Sequence, residues 1–315
     1  RFILKYFKSN LLAPLHDGAQ FPVSSGRMAF STDSYVVQPL FFPGGNIGKL
    51  AVCGTVNDLA MNGAVPQYLS CGLILEEGLP FDELDQILRT MAEMADLANV
   101  QIVTGDTKVV KKGEVDKIYI NTAGVGMIPE HVDIGPHRVQ PNMDIILSGA
   151  IGDHSIAVMG QRFGLELSES VKTDCAPLNH MVHAVLQEAG PSVALLRDPT
   201  RGGLGTVLKE IADQSGVGIK VDESALPIHD EVRSVCDILG YDPLYLANEG
   251  KAVFLVAPVV TERVLDILHT FEEGKEAVLI GKTLDKNIGK VGLQSSICGV
   301  RLVDLLGEDQ VPRIC

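Results

Sequence analysis

The chain has no run of apolar residues near the roughly 18 that a membrane span requires, so it is not read as a transmembrane protein. Its six cysteines, Cys53, Cys71, Cys175, Cys236, Cys298 and Cys315, contain no C-x-x-C pair and no zinc-type spacing. That excludes a disulfide framework or structural zinc site and points to reduced thiols in a cytoplasm. Cations are in the minority: 26 Lys and Arg stand against 40 Asp and Glu, a net charge of -14. A general binder of nucleic-acid backbone needs clustered Lys and Arg, so that class is excluded. One bound nucleotide, its charge met by magnesium and local donors, is not. A Walker-type phosphate loop is missing too. Its nearest approach, Gly44-Gly45-Asn46-Ile47-Gly48-Lys49-Leu50, is one residue short and lacks the Ser or Thr that would hold magnesium, so any ATP is bound in another way. There is no low-complexity tract, no demonstrable repeat and no signal peptide. The chain opens at Arg1, without Met, on what reads as the middle of an amphipathic helix, so residues are expected to precede it.

What is present is an ordinary globular composition, 46% apolar over 315 residues, long enough for two domains. A helix is predicted over residues 1–15, a polar loop over 16–27 and a strand over 28–37 carrying Ser31-Thr32-Asp33-Ser34. A turn follows at 41–45, a helix over 47–62 and a buried strand over 69–75. The clearest helix is 82–98, where Leu84, Ile87, Leu88, Met91, Met94 and Ala95 recur at i, i+3, i+4 spacing. Asp82 with Asp85 marks its start. Residues 101–104 form a strand that runs into a Gly105-Asp106-Thr107-Lys108 loop, and 117–128 form another strand. Pro, His and charge concentrate over 129–141, the expected boundary. Beyond it, strands at 144–148, 193–196, 218–221, 252–257 and 278–281 alternate with helices at 178–188, 204–214 and 262–271. The expected division is 1–130, 131–305 and a flexible tail over 306–315. Both halves read as α/β (α+β) layers with a sheet each.

The tail ends Val311-Pro312-Arg313-Ile314-Cys315, leaving a thiol at the physical end of the chain. A terminal sulfur has no following chain to restrain it. It can enter a pocket, accept a group and present that group elsewhere. It is not a prenylation signal, which places its Cys four residues from the end; the competing reading is a chance surface cysteine. After Leu306 the tail offers about nine residues, on the order of 30 Å when extended. Arg313 favours the thiolate and the terminal carboxylate opposes it.

Asp33, Asp58 and Asp106 each lie beside small residues that let a phosphate approach, and hard carboxylate oxygens suit magnesium. Turn and cap chemistry is the competing reading for Asp33 and Asp106. Asn57-Asp58 interrupts an apolar helical stretch, where a polar pair must find partners. Asp198-Pro199-Thr200-Arg201-Gly202-Gly203-Leu204 joins a strand to a helix whose N-terminus offers N–H donors to an anion, although a plain βα turn reads the same way. Lys108 is placed to meet a phosphate or polarise a carbonyl, and Glu249 in Asn248-Glu249-Gly250 is a candidate general base. A solvated lysine and a turn carboxylate are the alternatives. His180 and His183 lack a third ligand, and His154 reads as structural.

Taken together, Ser31-Thr32-Asp33-Ser34, Val56-Asn57-Asp58-Leu59 with Gly63-Ala64-Val65-Pro66, Gly105-Asp106-Thr107 and the 198–204 segment resemble the AIR-synthase-like (PurM-like) ATP-binding superfamily. Within it, the 41–50 segment, Ala247-Asn248-Glu249-Gly250-Lys251 and Pro312-Arg313-Ile314-Cys315 closely resemble the HypE family, the carbamoyl dehydratases of nickel–iron hydrogenase maturation. The likeness runs over residues 29–315; the family's His- and Gly-rich N-terminal motif has no counterpart here. The resemblance implies a two-domain PurM-like fold and a homodimer whose N-terminal sheets pair into a β-barrel, with ATP at the interface. It implies that Asp33, Asp58 and Asp106 serve magnesium. Lys49, Asn57, Thr107, Asp198, Thr200, Gly202 and Gly203 would complete the nucleotide site. By the same resemblance, a carbamoyltransferase, HypF, loads Cys315, and ATP-dependent dehydration assisted by Lys108 and Glu249 turns the carbamoyl group into a thiocyanate. The cyanide then passes to iron on a HypC–HypD scaffold. Competing readings are another ATP-dependent enzyme of this fold, such as a thiamine-phosphate kinase or selenophosphate synthetase, and a non-catalytic carrier.

Overall fold

The computed structural model describes residues 19–315 apart from 24, 25, 166, 169, 296–298, 308 and 309, with the backbone alone over 19–23. The helix expected over 1–15 and Cys298 lie outside the described residues. Among those described, no helix is long and apolar enough to cross a membrane.

The first half runs β1 (Ala19–Val23), β2 (Gly26–Tyr35), the two-residue strands β3 (Phe41–Phe42) and β4 (Gly45–Asn46), and α1 (Ile47–Met61). It continues with β5 (Val65–Glu76), α2 (Phe81–Ala98), β6 (Gln101–Val110) and β7 (Ile118–Ile128). Five of the strands make one sheet in the order β1-β2-β7-β5-β6. Three expectations change here. β1 occupies part of the stretch read as a polar loop, paired antiparallel along β2. β6 does not stop at Thr104: the Gly105-Asp106-Thr107-Lys108 segment stays in the strand, in parallel register with Cys71 to Ile74 of β5. Ladder pairing has overridden a Gly-Asp turn signal. β5, expected to be buried, is half covered, because helices pack on one face of this sheet and leave the other open.

Helix α1 is the centre of the molecule. Asn46 caps it, its side-chain oxygen accepting from the N–H groups of Gly48 (2.8 Å) and Lys49 (3.2 Å). Every α1 residue except Lys49 and Asp58 is buried, so the helix has no solvent face and no amphipathic stripe. Its glycines, which weaken a helix by about 1 kcal/mol each relative to alanine, are there for packing. A Cβ on Gly48 would stand 2.5 Å from the Ile87 carbonyl oxygen of α2, and one on Gly54 would overlap the Tyr35 hydroxyl. Gly54→Ala is therefore expected to lower stability by about 1–3 kcal/mol through overpacking, despite alanine's better helix propensity. Urea unfolding of the two chains checks this; equal or higher stability of the alanine chain would show that Tyr35 does not constrain the helix.

The second half contains β8 (Asp144–Leu147), α3 (Asp153–Phe163), α4 (Asn179–Ala189), β9 (Val193–Arg197), α5 (Gly203–Ser215) and β10 (Gly218–Asp222). Then come α6 (Asp230–Leu239), β11 (Val253–Val256), α7 (Thr261–Leu268), β12 (Val278–Leu284), β13 (Val291–Gln294) and β14 (Val300–Val303). The sheet order is β14-β13-β10-β12-β8-β11-β9. Alternation along the strands feeds two cores. Ile146 and Phe254 pack with Val182 and Val185 of α4 and Val264 and Leu268 of α7, while Ile145, Leu147, Val253 and Leu255 pack with Leu204, Leu208 and Ile211 of α5. The first of these cores also takes in Leu59, Ala60 and Met61 of α1, so the two halves share one apolar interior. Helices α3 and α6 and strands β13 and β14 were not anticipated from sequence.

Candidate active site

The sheet of the first half separates its own candidate residues. Along β2, Asp33 is in register with Thr122, whose hydroxyl donates to the Ala51 carbonyl of α1 (2.7 Å), so Ser31, Asp33 and Tyr35 face the helix. There the Ser31 hydroxyl donates to Asp58 (2.6 Å). Asp106 is in register with Gly72, Asn121 and Ser34, one residue out of phase, and therefore on the open face. Its carboxylate pairs with Lys108 (2.7 Å) and accepts from the Thr107 N–H (2.9 Å), an exposed cluster in which Lys108 holds the Asp106 pKa below the ordinary carboxylate value. Lys49, at the start of α1, donates to the Gly44 carbonyl (3.1 Å).

The second half reaches the helix side of that sheet through three segments, and α1 anchors two of them. The Asn57 amide donates to the carbonyls of Ala176 (3.0 Å) and Glu249 (3.3 Å) and accepts from the Leu178 N–H (2.8 Å). The polar pair that interrupted an apolar helix has thus found its partners. Asn248, fully buried, donates to the carbonyls of Pro199 (3.0 Å) and Leu246 (2.9 Å) and accepts from the Gly152 N–H (2.8 Å). The same Asn fixes the 198–203 loop against Glu249. Asp174 accepts from the N–H groups of Glu249 and Gly250 (both 3.2 Å), and a side chain on Gly250 would collide with the Asp174 carbonyl. In the loop, Gly202 and Gly203 have φ of 76° and 62°; Gly202 caps α5, and the Gly203 N–H donates to the Thr200 carbonyl (2.9 Å).

Into this cleft comes the chain end. The Pro312 and Arg313 carbonyls accept from Arg162 (2.9 and 2.7 Å), the Ile314 carbonyl from His154 (2.9 Å) and the terminal carboxylate of Cys315 from the Val36 N–H (3.2 Å). Ile314 is buried in the core around α1. The Cys315 sulfur lies 4.0 Å from an Arg201 guanidinium nitrogen. Burial, with the negative field of Glu249 next, pushes its thiol pKa up to about 12, and Arg201 offsets only part of this. The docked thiol is neutral. Arg313, expected to favour the thiolate, points elsewhere, bonding the Val36 carbonyl (3.2 Å) and Asp116 (2.6 Å). Arg201 takes that place.

Glu249 is the other unusual group. It is 4% exposed, and its Oε1 has no hydrogen-bond partner among the described residues. Burial, then the charges of Asp174, Asp198 and Asp33, raise its pKa well above the ordinary carboxylate value. Asp33 is open by surface area yet crowded by protein atoms, which raise its pKa, while the Ser34 N–H, Tyr35 and Arg201 pull it down. The structure thus brings Asp33, Asp198, Glu249 and Cys315 together, adds Arg201 and Asp174, and leaves Asp106 and Lys108 on the sheet's far side; Thr107, in register with Leu73 and Ile120, faces the helix side beside α2. Among the described residues no three His, Cys, Asp or Glu side chains form a self-contained metal cage. Magnesium does not need one: it takes one or two carboxylates and completes its shell with phosphate oxygens and water. The crowding of Asp33, Asp198 and Asp174 around Glu249, whose charges raise the Glu249 pKa, fits such an ion.

Residues 16–128 match the AIR synthase related protein, N-terminal domain, and residues 140–294 the corresponding C-terminal domain. The carbamoyl dehydratase HypE of Rhizobium leguminosarum bv. viciae is 47% identical over 99% of this chain and 89% of its own length. A solved HypE–HypF complex superposes with a TM-score of 0.92 at 43% identity, covering 97% of this chain and 98% of that one. A HypE structure in complex with ATP superposes at 0.89 and 44% identity, covering 99% and 94%.

Proposed function

Because the chain belongs to the HypE carbamoyl dehydratase family, we propose that it dehydrates a carbamoyl group carried on Cys315 to a thiocyanate, at the expense of ATP. The observation that carries this reading is the seat of the Cys315 sulfur, beside Arg201 and within the field of Glu249 and Asp33. S-carbamoyl-cysteine is R–S–C(=O)–NH2. Its amide oxygen attacks the γ-phosphorus of ATP, ADP leaves, and one nitrogen proton is lost, giving an O-phosphorylated imidate. Loss of the second nitrogen proton forms the C≡N bond as the C–O bond breaks and phosphate departs. The balance is one carbamoyl thioester and ATP in, one thiocyanate, ADP and phosphate out.

An amide N–H is a very weak acid, so a base with a raised pKa serves better than an ordinary carboxylate. Glu249 has that property and the position. Arg201 is the cation placed to offset charge growing on the carbamoyl oxygen. Asp33, Asp58 and Asp198 would hold magnesium, which neutralises phosphate charge during transfer, and Thr200, Gly202 and Gly203 would cradle phosphates at the start of α5. Lys49 and Asn57 border the site, Asn57 by fixing Glu249's backbone.

Asp106 and Lys108 belong to the open sheet face, which also exposes Phe30, Tyr68 and Ile74. An apolar face of this kind supports a homodimer in which two sheets close into a barrel, so Asp106 and Lys108 would act at the interface. The two domains would divide near residue 130, with residues 306–315 as the moving carrier. HypF would load the thiol in a cytoplasm, and a HypC–HypD iron scaffold would accept the cyanide. The test is intact-mass analysis of the chain after carbamoylation by the partner transferase. With ATP and magnesium the tail peptide is expected to lose one water; without ATP it keeps the carbamoyl mass. Water loss that proceeds equally without ATP would sink the reading.

A further inference from the structure

We propose that helix α3 is a latch for the chain end, in which Arg162 and His154 read the last peptide carbonyls and so set where the Cys315 sulfur stops. The inference rests on the reading of Cys315 as the carrier residue. The three peptide carbonyls of residues 312–314 and the terminal carboxylate of Cys315 each accept one hydrogen bond from outside the tail. Two come from one guanidinium, whose third nitrogen, Nε, donates to the Gln38 carbonyl just beyond β2 (2.8 Å). All three of its nitrogens therefore meet main-chain oxygens, a use of the planar fork that a lysine ammonium cannot copy.

His154 supplies the next contact from the other end of α3. It is fully buried, and its pKa is lowered by that burial, which keeps the ring neutral. A peptide carbonyl only accepts, so Nε2 carries the ring hydrogen toward Ile314. Nδ1 is then left to accept from the Thr173 hydroxyl (2.8 Å), and Thr173 in turn accepts from the Cys175 N–H (3.1 Å). The tautomer is thus fixed by a chain of partners. The α3 contacts are to backbone at residues 312–314, the Arg313 side chain adds bonds to the Val36 carbonyl and Asp116, and buried Ile314 is the plug, so the sulfur's place is set one residue beyond these anchors. Arg162 and His154 do not touch the reacting atoms; they are positioning residues.

The test uses the full chain. In Arg162→Ala, iodoacetamide is expected to label the Cys315 peptide at least tenfold faster, read by mass spectrometry of that peptide. Carbamoyl loading by the partner transferase is retained, and ATP-dependent water loss slows at least tenfold. Arg162→Lys restores neither property. A chain with one glycine inserted between Ile314 and Cys315 keeps the α3 contacts and the Ile314 plug but moves the sulfur by roughly 3.4 Å, so it too is expected to load normally and lose water at least tenfold more slowly. Unchanged labelling in Arg162→Ala, or full water loss from the extended chain, overturns the latch. If the unaltered chain loads but never loses water with ATP, the dehydratase reading fails instead, and the labelling comparison still decides the latch.

Discussion

Cys315→Ala is expected to fold normally and to form no thiocyanate under any condition. The folding half follows from what holds the tail: carbonyl hydrogen bonds and the burial of Ile314, none of which involves sulfur. The chemical half follows because the thiol is the attachment point of the group to be dehydrated. A kinase-like enzyme of the same fold, acting on a free small molecule, would turn over unimpaired without this sulfur. Thermal unfolding within experimental scatter of the unaltered chain, together with complete loss of the ATP-dependent mass change, is the expected pair of results. Cyanide delivery by the alanine chain would end the proposal.

Glu249→Gln is expected to lower the rate of water loss by about 10²–10⁴-fold, the usual worth of a positioned general base, while loading of Cys315 is retained. It also carries a pH signature. The folded-state pKa of Glu249 is raised, so folding favours the protonated acid. Its contribution to stability is fully present below the unfolded carboxylate pKa and is lost as pH rises through the folded value. Glutamine removes that dependence. Relative to the unaltered chain, the variant should gain stability steadily as pH is raised from the acid side toward neutrality, measured by urea unfolding without nucleotide. In the dehydration assay the unaltered chain should speed up over the same direction as Glu249 ionises, and the variant should stay flat. Parallel stability curves for the two chains would mean that Glu249 is not held protonated.

Local pattern made much of this molecule legible. The repeat through Leu84, Ile87, Leu88 and Met91 placed α2 within one residue of its start, and the strand-to-helix transition at 198–204 put a glycine pair at the cap of α5. What failed had long-range causes. Asp106 looked like a loop residue because Gly-Asp is a turn signal, and only pairing with β5 turns it into the middle of a strand, on the face away from Asp33. Arg162 and His154 gave no local sign of a role, since their partners lie 151 and 160 residues away in sequence. Arg201 stood inside a recognised motif, yet its nearness to the terminal sulfur depends on how the tail folds back. Asn57-Asp58 shows the converse. A polar pair in an apolar helix demanded partners on physical grounds alone, and Asn57 found them in the other half of the chain.

The enclosure of α1 has a mechanical consequence. A helix covered on every side, with Asn57 stitched to two strips of the opposite half, leaves no seam along which the body of the protein can swing apart. Separating the halves would bare Leu59, Ala60 and Met61 to water and strip Asn57 of its partners at once. The anvil stays still. The seat that Arg162 and His154 offer to the chain end is therefore built on a frame that holds its shape.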